Sequence, residues 1–312
     1  MDKREMNRRE FIKRSAACAA YATAGMALSG LVGPYAGADQ APDIVLANGS
    51  PGPAAWAAVK ALGGMQRFVR PGDRVVIKPN MSFPNPPDWA TTTHPEVVRA
   101  LTEMCIKAGA GSVLVLDNPL RNPELCVERS GLKAACGDLP QAQIEGITNR
   151  RFFEEVKVPE GKALKATMIM KAVLEANVLI AAPVAKSHSA TGVSLAMKGM
   201  MGLIYDRMAF HLDLDLDEAV VDLCTVLRPK LTVIDASRLL SEGGPGGPGK
   251  VIKLNKVIAS TDMVAADAMA VEQGTWYGRK FKAKQVKHVR IAHQRGLGNL
   301  EVKSQIVKEV SA

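Results

Sequence analysis

Lys186, Ser187, His188 and Ser189 follow directly on an apolar run, Val178 to Ala182, that ends at Pro183. Such a run reads as a buried strand, and because proline cannot donate to a sheet ladder, the polar residues begin where the strand stops. Gly192, Lys198, Gly199 and Gly202 come next, in a small-residue stretch whose second half reads as a helix. Ammonium, imidazole and hydroxyl groups gathered in one place can hold an anion and move protons on it. Taken singly, Lys186 and Lys198 are solvated lysines and His188 is a satisfied loop histidine. Taken together, at the carboxyl end of a strand in an α/β chain, they are a candidate site.

The same arrangement recurs earlier. Arg74 to Asn80 is a second buried strand, entered through Pro71-Gly72-Asp73, and its end carries Lys78 and Asn80 around Pro79. Two lysines from two strand ends can converge on one anion. His94-Pro95-Glu96 opens a helix that runs to about Lys107, with Pro95 suited to the first helical position. His94 is therefore either a cap or a second imidazole facing the strand ends. Asp117 closes the strand Ser112 to Asp117, Asp235 closes Lys230 to Asp235, and Asp267 lies on the second turn of a helix capped by Ser260-Thr261-Asp262. Each is a candidate acid, base or metal ligand, with a turn carboxylate as the alternative. His211 is a further imidazole close to the cluster. Met197, Met200, Met201 and Met208 could supply thioethers to copper(I), although methionines at helical spacing usually pack a core.

Those residues need strands and helices in alternation to position them. The pattern along the chain predicts an α/β fold, a single mostly parallel sheet flanked by helices, with a C-terminal extended segment. A helix is expected over Met168 to Glu175, a helical stretch with glycine interruptions over Asn122 to Leu139, and a loop with a short strand over Ile144 to Val158. Ser241 to Lys250, which holds Gly244, is a glycine-rich loop. A phosphate-binding loop of the Walker type needs a helix after it, and an extended run, Val251 to Ile258, follows here instead. A lid or a nest of backbone amides beside the site remains open for this loop.

The first 38 residues read as a removable export signal and residues 39–312 as a single domain. Asn7-Arg-Arg-Glu-Phe-Ile-Lys13 has the twin-arginine pattern, a mildly apolar alanine-rich run follows from Ser15 to Val32, and Ala36-Gly-Ala38 offers a cleavage site. The expected partners are the twin-arginine translocation machinery and an anionic small molecule or cofactor, with a membrane only if the signal stays uncut. That segment holds six basic and three acidic side chains, so without it 40 basic and 31 acidic residues become 34 and 28. The remaining excess suits an anionic ligand, and no basic run with interleaved aromatics argues for nucleic acid. Cys105, Cys126, Cys136 and Cys224 have no metal-binding or iron–sulfur spacing, so the cofactor is unassigned and no iron–sulfur cluster is expected. Cys126 with Cys136 is the local candidate for a disulfide.

In order, Val76-Ile-Lys-Pro-Asn80, Thr93-His-Pro-Glu-Val-Val-Arg-Ala100, Pro183 to His188 with Gly192 to Gly202, Leu231 to Ala236, Glu242-Gly-Gly-Pro245 and Asp262 to Asp267 form a set that resembles the domain-of-unknown-function 362 family. The resemblance implies one α/β domain of unassigned activity. It also implies that relatives often carry ferredoxin modules or export signals. This chain lacks the ferredoxin cysteines, and Gly199 stands where the family usually shows an asparagine. Two functions are compatible with these residues. One is an exported enzyme acting on an anionic molecule, with Lys78, Lys186 and Lys198 binding charge and His188 and His94 moving protons. The other is a non-catalytic accessory protein that holds a cofactor or metal. A third reading, electron transfer, has no cluster ligands to support it.

Overall fold

The computed structural model describes residues 42–312, and the twin-arginine motif, the apolar run and the cleavage triplet lie outside them. Twelve strands are found among the described residues. They are β1 (Ile44–Asn48), β2 (Arg74–Pro79), β3 (Ser112–Asp117), β4 (Ala142–Gly146), β5 (Phe153–Lys157), β6 (Ala166–Met170), β7 (Val178–Ala182), β8 (Val184–His188), β9 (Gly192–Ser194), β10 (Leu231–Leu240), β11 (Val251–Ser260) and β12 (Val307–Ser311). The main sheet runs β12-β1-β11-β10-β7-β2-β3-β4, with β8 and β9 joined to it through β10. The pairs β10 with β7, β7 with β2, β2 with β3 and β3 with β4 are parallel. This is the α/β sheet expected, with the interior strand β11 antiparallel to both its neighbours, β1 and β10. The C-terminal extended segment is β12, parallel to β1.

Alternation along the strands builds two cores. Ile44 and Leu46 of β1 pack on one face, and Val45 and Ala47 on the other, as the two-residue period of a strand requires. Helices α1 (Pro51–Ala61), α2 (Pro95–Lys107), α3 (Pro123–Arg129) and α4 (Leu132–Cys136) supply side chains to the second of these cores. The other core takes side chains from α5 (Lys171–Leu174), α6 (Ala196–Gly199), α7 (Met208–Leu212), α8 (Leu216–Val226), α9 (Met263–Gln273) and α10 (Lys287–Gln294). Cys105, Cys126, Cys136 and Cys224 are all free and buried, so the Cys126–Cys136 pairing is not formed. They pack as small apolar side chains.

Three expectations differ from the structure. The helix expected over Met168 to Glu175 is instead the strand β6, antiparallel to β5 in a separate ribbon, followed by the single turn α5. A short apolar run fits either element, and here the partner strand β5 supplies the hydrogen bonds. The stretch Ile144 to Val158, expected as a loop with one short strand, holds the end of the edge strand β4 and all of β5. Most consequential is Pro183: β7 ends there as expected, but a second strand, β8, follows it with other partners. Before it, β7 pairs with β2 and β10; after it, β8 pairs with β10 and β9 and no longer with β2. The sheet therefore opens between β2 and β8. This gap lies where strand order reverses, with β3 and β4 running to one side and β10 to the other, which is the position at which open α/β sheets take ligands.

Candidate active site

A cavity of about 540 Å³ occupies that gap. From β2 and its end come Lys78 and Asn80, from β3 comes Asp117, from β8 come Lys186 and His188, and from α6 comes Lys198. The segment before and through α7 adds Arg207 and His211. Three lysines far apart in sequence thus share one space, and Asp117 is its buried carboxylate among the described residues.

The charged groups of the cavity differ in how they are held. Lys78 lies 3.3 Å from Asp117 Oδ1 and also donates to the Pro79 carbonyl. Asp117 Oδ2 accepts from the Met81 amide at 2.9 Å and Ser82 Oγ at 3.0 Å, whereas Oδ1 has no hydrogen bond. Gly202 is required at this point: a Cβ there would run into Asp117 Oδ1 and the Lys78 side chain. Asn80 ties the strand ends together by accepting from the Val184 amide at 2.9 Å. Lys186 Nζ donates to the Thr91 carbonyl at 2.9 Å and sits 5.5 Å from the centre of the Phe83 ring. It has no carboxylate partner among the described residues.

Lys198 is buried, with neither a hydrogen bond nor an ion pair for its ammonium among the described residues. Arg207 donates to the Asn118 carbonyl and has no carboxylate either. His188 and His211 stack with ring centres 5.9 Å apart and planes 15° from parallel. His188 Nδ1 accepts from the Ala190 amide at 3.2 Å, which assigns the proton of the neutral ring to Nε2.

Burial dominates the protonation of every one of these groups, because the charged form loses water without gaining a full partner. Burial pulls Lys78 below its ordinary value, and Asp117 offsets part of the fall. Lys186 is brought down to about 7, by burial first, with Asp117 opposing and Lys78, Lys198 and Arg207 adding to the fall. Lys198 drops to about 8, from burial and then Arg207. His188 falls to about 3, from burial and then Lys198 and His211, so its ring is neutral in neutral solution. Burial also lowers Arg207 and, together with Lys198 and Arg207, His211.

The remaining predicted residues lie elsewhere. His94 caps α2, its Nδ1 accepting from the Glu96 amide at 3.2 Å, and it does not line the cavity. Asp235 accepts the His94 amide, the Ser237 amide and hydroxyl, and Arg238 Nη2, all within 3.0 Å, and holds the start of α2 against β10. Asp267 accepts the Ala196 and Met197 amides at 2.8 and 3.0 Å, so it fixes the start of α6 and acts on Lys198 only through that helix. Ser187 accepts the Gly244 amide at 3.0 Å, and a Cβ at Gly244 would collide with the Ser187 backbone. The glycine-rich segment is thus the connection of the β10–β11 hairpin, docked on β8, and it contributes Pro245 to the cavity wall. Gly192, at φ +76°, makes the turn between β8 and β9. Gly199 lines the cavity, and a Cβ there would make an ordinary contact with Pro183. Met197, Met200 and Met201 belong to the core, and no group of three His, Cys, Asp or Glu residues suited to a metal is found among the described residues. Arg207 is the cavity residue that sequence reasoning does not single out. Its nearness to His211 is the one signal for it.

The sequence model of DUF362, a domain of unknown function, matches residues 75–272, which carry all the strand ends just described. The chain belongs to this family. It is 27% identical over 228 residues to a thylakoid-associated protein of Synechocystis sp., covering 70% of this chain and 69% of that one. Among solved structures it is similar to the lactate racemase apoprotein of Thermoanaerobacterium thermosaccharolyticum, with 14% identity, a TM-score of 0.45, and coverage of 70% of this chain and 54% of that one. A Thermotoga maritima protein gives 10% identity and a TM-score of 0.46, over 79% of this chain and 60% of that one. The chain therefore spans little more than half the length of these two structures.

Proposed function

We propose that this DUF362 protein binds a small anionic molecule in the cavity and is an exported enzyme that moves protons on it. The observation that carries the reading is the surplus of cations: buried Lys78, Lys186 and Lys198 and half-buried Arg207 line one space with a single buried carboxylate among the described residues. Burying an ammonium without a partner costs several kcal/mol, on the order of the desolvation of a single ion. A ligand with two or more negative charges would supply the missing partners. In this reading Lys198 and Arg207 hold the anion, and His188 donates to it through Nε2–H. Lys186, close to half neutral near pH 7, takes or gives the proton. The twin-arginine motif Asn7 to Lys13 supports delivery through that export route.

The same motif favours one other reading. Twin-arginine export carries chains already folded, and an anionic cofactor held in this cavity without turnover would make the protein an accessory in cofactor handling. Isolating the protein from its native host and identifying bound small molecules separates the two, since a stoichiometric, unchanged cofactor supports the accessory role. Binding itself is tested by calorimetry with phosphate, pyrophosphate and citrate in buffers of different ionisation enthalpy. An anion raises the lysine pKa values, so binding near pH 7.5 takes up protons. If wild type binds none of the three, or binds them no better than a Lys198→Met, Arg207→Met double variant, the reading fails.

A further inference from the structure

The cations of the cavity are held in different ways, and the difference narrows the class of molecule it takes. Lys198 and Arg207 are cations without carboxylate partners among the described residues, suited to a carboxylate or phosphate. Lys186 is anchored by one hydrogen bond to the Thr91 carbonyl, faces the Phe83 ring and has no counterion of its own, since the 3.3 Å pair of Asp117 is with Lys78. A lysine kept dry, set against an aromatic face and ringed by other cations is the environment that makes the amine a nucleophile toward carbonyl carbon. We propose that the substrate is a small carbonyl compound bearing a carboxylate or phosphate, and that Lys186 forms an imine with its carbonyl carbon while Lys198 and Arg207 hold its anionic group. This rests on the anion-binding reading above and goes beyond proton transfer to a covalent step.

The step balances without a further reagent. The lone pair of Lys186 Nζ attacks the carbonyl carbon and forms the C–N bond, and the oxygen becomes a hydroxyl. Both hydrogens of the amine leave with that oxygen as water when the C–O bond breaks, which leaves C=N. His211 can relay those protons, since a neutral imidazole offers one N–H and one free nitrogen, whereas His188, its Nδ1 taken by the Ala190 amide, offers only its Nε2–H to the departing oxygen. Hydrolysis reverses the sequence and frees the lysine. The imine also explains why Lys186 and Lys78 share one cavity: Lys78 secures Asp117, and so leaves Lys186 without the counterion that would keep it protonated. The neutral fraction this produces is large, with Lys186 at about 7.

Reductive trapping tests it. The purified protein is treated at pH 7 with pyridoxal 5′-phosphate, and separately with glyoxylate, then reduced with borohydride and mapped by peptide mass spectrometry. Lys186 is expected to label at least about ten-fold faster than an exposed lysine such as Lys303, because far more of it is neutral. Inorganic phosphate should slow that labelling without slowing Lys303. Lys186→Met should lose the adduct and still bind phosphate, through Lys198 and Arg207. Even labelling across the lysines, or preferential labelling of Lys78 or Lys198, overturns the imine. If phosphate binds and Lys186 stays unmodified, the imine falls and the anion-binding function stands. If phosphate does not bind either, both fall.

Discussion

Two buried polar clusters lie on β10 and β3 of the same sheet, with β7 and β2 between them, and are built to opposite ends. Around Asp235 the carboxylate takes four hydrogen bonds, from His94, Ser237 and Arg238, and Arg238 continues to the Pro87 and Thr92 carbonyls. Only Arg238 Nε and Thr92 Oγ1 go unpaired there among the described residues. Around Asp117 one carboxylate oxygen has no hydrogen bond, and four cations share the space with it. Pairing of both Asp235 oxygens in the first cluster fixes the loop before α2 to the sheet. Incomplete pairing in the second destabilises the empty protein, and such a cost is a mark of sites kept for a ligand.

The largest effect expected from this contrast comes from breaking the paired cluster. Asp235→Ala strands Arg238 in a buried position and leaves the His94 amide without its acceptor, and should lower stability by about 3–5 kcal/mol in urea unfolding. Phosphate affinity of the fraction that remains folded should not change. A weaker affinity in that fraction would mean that the two clusters are coupled and the contrast is false. The unpaired cluster should answer in the reverse sense. Lys198→Met removes a cation that nothing in the empty cavity stabilises, so stability at pH 7 should rise by about 1–2 kcal/mol, while phosphate affinity falls by roughly 10- to 100-fold, the worth of a hydrogen bond to a charged group. A variant that loses both stability and binding would put Lys198 in the scaffold instead.

The pH dependence sharpens the same contrast with a smaller effect. Lys186 and Lys198 are lowered to about 7 and about 8 in the folded protein, so the unfolded chain binds more protons than the folded one above these values. Below pH 7 both states are protonated and the penalty is fully present. As the pH rises through 7 and 8 it is progressively relieved, and stability gains. Two other sets of groups act in the opposite direction outside this window. Asp267, pushed up to about 7 by burial, lowers stability as the pH climbs toward 7, and the buried cysteine thiols, with raised pKa values, lower it once unfolded thiols ionise. The cleanest measurement is therefore wild type minus Lys186→Met between pH 7 and 8.5. That difference should shrink as pH rises, and saturating phosphate should abolish the trend. A difference that stays flat with pH would show Lys186 protonated throughout, and would remove the basis for its reactivity.

How much of this was legible in sequence depends on whether a residue's role is local. Strands ending in Lys78, Asp117 and Asp235 could be read from apolar runs, because a parallel strand buried on both faces leaves an unbroken signature. That Lys78 and Lys186 converge was also readable, from two similar strand ends. The sequence could not tell which strand-end carboxylate faces the gap. Asp117 and Asp235 occupy equivalent positions in their runs, and only the change of partner at Pro183 puts one at the cavity and the other behind β8. Asp267 and Ser187 were misplaced for a related reason: their partners, the amides at the start of α6 and the Gly244 amide, are about 70 and 57 residues away. Arg207 carries no periodic signal at all. It reaches the cavity because the chain after Gly202 turns back over the strand ends.

The smallest expected effect concerns His94, the imidazole whose two readings, cap or site, the contrast separates. Its ring accepts the Glu96 amide, and its own amide is committed to Asp235, so both of its polar contacts belong to the paired cluster. Burial and then Arg238 lower its pKa, which keeps the ring neutral and able to accept from the amide. His94→Ala removes the cap and should cost about 0.5–1 kcal/mol, the usual worth of a helix N-cap, with no change in phosphate binding or in the labelling of Lys186. His94→Asn, which keeps an acceptor at that position, should recover most of the loss. Should His94→Asn restore stability and yet leave anion binding weakened, the histidine would have to reach the ligand after all. The boundary between the scaffold cluster and the site would then have to move to include the first turn of α2.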